Sequence, residues 1–442
     1  MPSADVAVIG AGLAGLLTAV RLAEGGARVV VLSEGYGTLH WAGGPIDLGF
    51  VPGAATAAEA VDALAERAGH PYALLGSDVA PALDWFLQLT ADLGLPHVGS
   101  LDGGFGPLPT GIGGVRPVSA VPESQAGAFP PWARGERLVI AGHAGFKDFW
   151  PRAVASSLSR AEVWGPFSRP ARVDGIAVDW PGLRERRNLN ALRIAEGFDN
   201  ADWRVAALDV TARAVASTGP GPLRVGLPAV LGLRDHPRAL AEAADRFGAP
   251  VIEFPLVPPC IPGMRLHDVL RAKLRARGAR LLIGERVARV ETTRRKVTAV
   301  ATTAATRELV TRVGAVVLAT GGIAGSGLIG EPDGVIRETV LGLPVEGPSI
   351  GSWLAGDPLD PGSLPIAAAG LRTDESLRPL DPARPADRPL FDNVRVVGSL
   401  LAGQQWMVER CGDGVALASA WRAAASLSGK AAKPRAVARA AR

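Results

Sequence analysis

Residues Asp5 to Gly15 read DVAVIGAGLAG, an apolar, β-branched run that breaks into Gly10-x-Gly12-x-x-Gly15 and passes into a helix-like segment. Each residue meets a physical demand of a strand-to-helix turn that holds a pyrophosphate. Gly10 permits the tight turn, Gly12 lets the backbone approach the phosphate, and Gly15 lets helix and strand pack closely. Leu13 to Glu24 carries apolar residues at helical spacing, Gly25-Gly26 stops it, and Arg28 to Leu32 reads as a second buried strand. Strand, glycine turn, helix, stop and strand in this order predict a nucleotide-binding βαβ unit. Gly10, Gly12, Leu13, Ala14 and Gly15 are its phosphate cradle, at the positive end of the helix.

The chain has 442 residues, enough for about two or three domains. Its 48% hydrophobic and 20% charged residues belong to a globular protein rather than a disordered one. No apolar run reaches the roughly 18 residues that a membrane span needs, and MPSADVAVIG lacks the charged start and cleavage site of a secretory signal. Cys260 and Cys411 stand too far apart for a CxxC redox pair or an iron–sulfur ligand set, and read as small buried apolar residues. Six histidines show no HxH or HExxH spacing, so no metal site is expected. The net charge is +4, but Lys430, Lys433, Arg435, Arg439 and Arg442 supply five positive charges without an acid, leaving the preceding 429 residues at −1. The basic balance thus reports a tail, read as solvated and disordered, and gives no support to nucleic-acid binding.

Helical spacing recurs over Ala57 to Ala68 and Asp78 to Leu93, Gly and Pro dominate Leu101 to Pro131, and Arg137 to Ala141 reads as a strand. The middle of the chain carries no second nucleotide fingerprint. Further on come an amphipathic helix over Met264 to Arg277, a strand over Arg280 to Ile283 and a hairpin of Val287 to Val290 with Val297 to Ala301. The strand Ala315 to Ala319 then runs into Thr320-Gly321-Gly322, and Val394 to Val397 ends in Gly398-Ser399 ahead of a helix over Val415 to Ala425. The expected architecture is α/β: a Rossmann-like dinucleotide-binding domain split by an inserted α/β cap domain. Residues 1–95 and 258–427 form the two parts of the nucleotide domain, 96–257 the cap or substrate-side domain, and 428–442 the tail.

With these segments in place, the chain resembles the B subunit of the anaerobic, membrane-associated, quinone-linked glycerol-3-phosphate dehydrogenases, a flavoprotein family. The resemblance runs from about Asp5 to Ala425. Its more specific stretches are Leu39-His40-Trp-Ala-Gly43-Gly44-Pro-Ile-Asp47-Leu48, Pro258-Pro259 with Gly263-x-Arg265-Leu266, and Gly334-Val-Ile-Arg337-Glu-x-x-Leu341-Gly-Leu343. Thr373-Asp374-Glu375-x-Leu-Arg378-Pro379 and Cys411-Gly412-x-Gly414 complete the set. The resemblance implies a complex in which an FAD-containing catalytic A subunit oxidises sn-glycerol 3-phosphate to dihydroxyacetone phosphate. An iron–sulfur, membrane-anchoring C subunit then passes the electrons to the quinone pool in anaerobic respiration. This chain would carry a flavin, FMN by the family's usual assignment, and sit in the cytoplasm on the inner face of the membrane through its partners. Two other readings stand beside it: an independent FAD-dependent oxidoreductase of the fumarate reductase and ketosteroid dehydrogenase type, and a flavin-free scaffold subunit.

The residues sharpen these expectations. In two-strand FAD sites an acidic residue at the end of the second strand binds the ribose. Here that place is Ser33, with Glu34 one step on and, by strand alternation, turned away. This suits FMN and leaves FAD as the alternative. His40 and the Gly43-Gly44 loop are placed beside the flavin ring, Thr320-Gly321 at a third strand end, and Gly398-Ser399 where many FAD enzymes carry Gly-Asp. Gly412, Asp413 and Gly414 open a helix whose positive end would face the flavin. Arg265, Arg337 and Arg378 are candidate grips for substrate or another anion, since a guanidinium fork suits phosphate. No general base is assigned; His143 lies in a suitable loop but outside the family's pattern.

Overall fold

The computed structural model describes residues 2–183, 188–304, 307–357, 359–383 and 388–428. The expected basic tail, Lys430 to Arg442, lies outside the described residues.

The chain opens with β1 (Ser3–Ile9), α1 (Leu13–Glu24) and β2 (Val29–Ser33), then a helical turn Gly37–Trp41 and the helices α2 (Ala57–Ala65) and α3 (Tyr72–Asp92). The Gly/Pro-rich stretch forms short strands β3 (His97–Gly99), β4 (Gly106–Pro109), β5 (Val115–Val118) and β6 (Ala120–Pro122), followed by α4 (Glu123–Ala126). An inserted unit runs β7 (Arg137–His143), α5 (Pro151–Leu158), β8 (Arg172–Val178), α6 (Ala191–Asp199), α7 (Ala201–Ala216), β9 (Leu223–Pro228), α8 (His236–Phe247) and β10 (Val251–Phe254). Helix α9 (Ile261–Ala276) leads back to β11 (Arg280–Ile283), β12 (Arg286–Thr293), β13 (Lys296–Ala304) and β14 (Arg307–Leu318). A hairpin of β15 (Leu328–Gly330) and β16 (Ile336–Glu338), then β17 (Val394–Val396), α10 (Trp406–Glu409) and α11 (Gly412–Leu427), complete it.

Five strands run parallel in the order β11-β2-β1-β14-β17. The register sets Val6 beside Ala315 and Ile9 beside Leu318. Val29 to Leu32 and Ala315 to Leu318 are buried throughout, the continuous apolar run of strands that are covered on both faces. From β1 the chain steps to β2 and β11 on one side, and later to β14 and β17 on the other. The order therefore reverses between β1 and β14, and a crevice opens at their carboxyl ends. Strand β14 serves two partnerships. Its first half pairs antiparallel with β13 and its last residues pair parallel with β17, while β1 lies along its other edge.

A second sheet, β10-β9-β7-β8, is parallel throughout and builds its own core from Ala128 to Ile261. The insert thus begins later than residue 96. Ala120 packs in the first core and exchanges backbone hydrogen bonds with Ile46, which ties β3 and β6 to the nucleotide domain. Helix α9 joins the two bodies: Leu266, Leu270 and Leu274 enter the first core while Met264 packs on the second. Gly263 makes the joint possible, because a Cβ there would lie 1.9 Å from the Leu39 carbonyl oxygen.

Candidate functional site

The glycine turn is compressed on two sides and open on the third. Gly10 has φ +115°, where side chains are strained, and a Cβ on it would meet the Ala319 carbonyl oxygen at 2.1 Å. A Cβ on Gly15 would stand 2.2 Å from the Gly10 carbonyl oxygen. Gly12, the N-cap of α1, would meet nothing within 4 Å. There the first-turn N–H groups of α1, including those of Leu13 and Ala14, lack intrahelical partners and point toward the crevice.

Around this turn, loops leaving the strand ends, with the helices α4 and α9, hold buried polar atoms that no protein group satisfies. Thr320 Oγ1, just after β14, has no partner. Gln404 donates Nε2 to the carbonyls of Gly398 and Leu401 but leaves Oε1 unpaired, and Gln405 Oε1 is unpaired beside it. Gln125 donates Nε2 to the Gly43 carbonyl at 2.7 Å and leaves its Oε1 unpaired. His40 stacks on Tyr36 at 4.5 Å and meets His267 edge-on at 4.6 Å; His40 Nε2 and His267 Nε2 lack hydrogen bonds, while Nδ1 of the fully buried His267 lies 3.7 Å from the Asp268 carboxylate. Burial, then the neighbouring His267, pushes His40 down to about 4, so its ring is neutral at pH 7. Buried polar atoms are costly unless paired. Their gathering at the carboxyl ends of β1, β2, β14 and β17, over an open glycine turn, fits a phosphate-bearing ligand with a polar-edged ring system, as a flavin is.

The adenosine side reads differently. Ser33 ends β2 and its hydroxyl donates to the Gly35 carbonyl at 2.7 Å, while Glu34 is exposed and pairs with Arg286 at 3.2 Å. Across the crevice, Gly321 has φ +79° and Gly398 φ +67°. Gly398 donates its N–H to Ser419 Oγ at 2.9 Å, and Ser399 is exposed.

Helix α11 begins at the same end because it follows β17. Asp413 Oδ2 accepts the Asp47 N–H at 3.1 Å, and the Gly414 N–H donates to the Asp47 carbonyl at 3.0 Å. Gly414 also packs tightly, since a Cβ there would overlap the Tyr72 hydroxyl. The Asp47 carboxylate pairs with Arg116. Just upstream, Glu409 gathers Arg67 at 2.8 Å and His70 at 3.4 Å. His70 Nδ1 accepts the Tyr72 N–H, so a neutral His70 presents its Nε2 proton to the carboxylate.

The three arginines are not brought together, and each is held in an ion pair of its own. Arg265 is 2% exposed and spent internally: its guanidinium pairs with Glu253 at 2.6 and 3.0 Å, and its Nε donates to the Gly232 carbonyl at 2.7 Å. Arg337 pairs with Asp333 on an exposed hairpin, and Arg378 with Asp374 at 2.7 Å. His143 lies in the cap core, stacked on Trp180. Sequence reading passed over Asp47, Arg116, Gln125, His267, Gln404 and Gln405. Asp47 stands inside the distinctive Leu39 to Leu48 stretch, which was its available signal; the others carry none that spacing reveals.

Residues 5–415 match the FAD binding domain family. The probable anaerobic glycerol-3-phosphate dehydrogenase B subunit of Halobacterium salinarum is 33% identical over 433 residues, 95% of this chain and 96% of that protein. The anaerobic glycerol-3-phosphate dehydrogenase B subunit of Pectobacterium atrosepticum is 32% identical over 434 residues, covering 94% and 96%. Among solved structures, 3-ketosteroid Δ1-dehydrogenase from Sterolibacterium denitrificans superposes over 97% of this chain and 100% of its own, with a TM-score of 0.45 and 11% identity. A match to an FAD-binding family gives no support to FMN as the preferred flavin.

Proposed function

Because this chain belongs to the family of anaerobic glycerol-3-phosphate dehydrogenase B subunits, within the FAD binding domain proteins, we propose that it is the flavin-carrying B subunit of such a complex. The complex oxidises glycerol 3-phosphate to dihydroxyacetone phosphate and sends the electrons toward quinone. The observation that carries this reading is the full-length likeness, 33% over 95% of the chain, laid on a switch-point crevice lined with unspent polar atoms.

The Gly10 to Gly15 turn and the first amides of α1 bind the phosphate; Thr320, Gln404, Gln405 and Gln125 orient the ring's polar edge; neutral His40 and buried His267 wall the loop after β2. A bound flavin supplies two-electron acceptance and onward one-electron transfer. The family match favours FAD over the FMN suggested by Ser33. Substrate oxidation falls to the catalytic A subunit, membrane anchoring to the iron–sulfur C subunit, with this chain peripheral on the cytoplasmic side. Among the described residues no helix is long and apolar enough to cross a membrane.

The test is the visible spectrum of the purified chain, followed by acid release and identification of its flavin. Released FAD supports this reading and FMN returns the weight to Ser33. A colourless chain that still binds its partners points to a scaffold, and substrate turnover by the chain alone points to an independent oxidoreductase.

A further inference from the structure

Two acids 366 residues apart in sequence meet where α11 begins. The Asp47 N–H reaches the Asp413 carboxylate and the Gly414 N–H the Asp47 carbonyl, yet among the described residues only Asp47 has a cation against its carboxylate, Arg116 of β5. Asp413 is half-buried, and its Oδ1 accepts no hydrogen bond from any described residue. The other charged or titratable groups facing the pair are Tyr72 from α3, which donates to the Leu48 carbonyl, Glu409 at the end of α10, and Arg410 and Cys411 between α10 and α11. Arg410 is turned aside over the Phe50 ring, 5.0 Å from its centroid. Burial first, then the neighbouring Asp47, raises Asp413 to about 7, and burial raises Asp47 as well. Two half-buried carboxyl groups set close together beside one cation resist ionising together.

Position gives this pair a task. The positive end of α11 stabilises a negative charge in the crevice only while Asp413 is neutral; ionised, Asp413 cancels that field at its source. We propose that the Asp47–Asp413 pair holds one exchangeable proton at the flavin-facing end of α11 and takes it up or releases it in step with the charge on the bound flavin. This deepens, and rests on, the flavin-subunit reading. Oxidation of the alcohol to the ketone releases two electrons and two protons; as the electrons arrive, one proton of that pair is taken from solvent and forms an O–H bond at Asp413 Oδ1. When the electrons depart, that bond breaks and the proton returns to water.

The flavin midpoint potential is measured against pH for the flavin-loaded full chain and for Asp413→Asn and Asp47→Asn, with reduced-minus-oxidised infrared spectra alongside. Wild type and Asp413→Asn should coincide below about pH 6 and separate above about pH 8, the variant lying higher because it lacks the ionised carboxylate. Asp47→Asn should move the onset of separation to lower pH, and it carries the test should Asp413→Asn fail to fold. At about pH 7.5 reduction should raise a protonated-carboxyl band in wild type that Asp413→Asn loses. Parallel potential curves, or the same band in Asp413→Asn, would overturn the pair's role and leave the flavin reading intact. A wild-type chain that holds no flavin would overturn that reading and the proposal with it.

Discussion

Both parallel sheets reverse their strand order, the first between β1 and β14, the cap between β7 and β9, so topology offers two crevices of the same kind. The cap's is filled. Phe149 meets Phe254, His143 lies on Trp180, and Glu253 beside them accepts from Ser124 Oγ, the Leu231 N–H and Arg265, which α9 pushes in from the other body. At that end, among the described residues, Nε2 of His143 is the atom left unpaired. The first sheet's crevice keeps Thr320 Oγ1, the Oε1 atoms of Gln404, Gln405 and Gln125, and Nε2 of His40 and His267 unpaired around an open Gly12. A switch point is a place, and what makes it a binding site is the hydrogen-bonding capacity that the protein leaves unused there.

Substitutions should therefore fail differently in the two crevices. Arg265→Met leaves Glu253 charged, buried and short of its partner, and should cost about 3–5 kcal/mol in denaturant unfolding. Burial alone would raise Glu253, but Arg265 and His236 hold it at about 2, below its ordinary value near 4.5. The pair's contribution is thus present above about pH 4.5 and lost as pH falls toward 2, so the gap between wild type and Arg265→Met should close over that window. Gly12→Val should do the reverse. Its Cβ meets no protein atom, so the flavin-free protein should unfold within about 0.5 kcal/mol of wild type, while flavin affinity falls at least about thirtyfold, roughly 2 kcal/mol. Equal damage to both properties in one variant would break the contrast. Thr320→Val is subtler: it removes an unpaired buried oxygen, so the flavin-free protein should be unchanged or up to about 1 kcal/mol more stable. Flavin should then be held about three- to tenfold less tightly, as titration against the stripped protein would read. Removing Lys430 to Arg442 should leave the flavin spectrum as it was, and its loss would give the tail a structural part.

What could be read from the sequence was what neighbours along the chain determine. The Gly10 to Gly15 turn, its strands and the helix after it are fixed by local spacing, and so are the hairpin of β12 with β13 and the amphipathic α9. The Gly/Pro stretch from Leu101 to Pro131 was legible as irregular hairpins, but not as belonging partly to the first core, because the Ala120 to Ile46 pairing crosses an unmarked boundary. Arg265, Arg337 and Arg378 could not be assigned from sequence for a physical reason: an arginine reads the same whether its fork meets a phosphate or a carboxylate, and Glu253 lies on a strand of the other domain. The Asp47 and Asp413 meeting was invisible because nothing short of the closed sheet brings the two ends together.

The register of β1 against β14 also governs the order in which the protein can be finished. Val6 waits for Ala315, more than 300 residues later in synthesis. At about 5–20 residues per second that is roughly 15–60 s of translation, during which β1 can pair with β2 but presents a bare apolar edge. The cap, whose strands all lie between Arg137 and Phe254, can close its core within that interval. The strand made first is thus among the last to be sealed, and the newborn chain's exposure to aggregation is set less by its composition than by how long its opening segment stands unescorted.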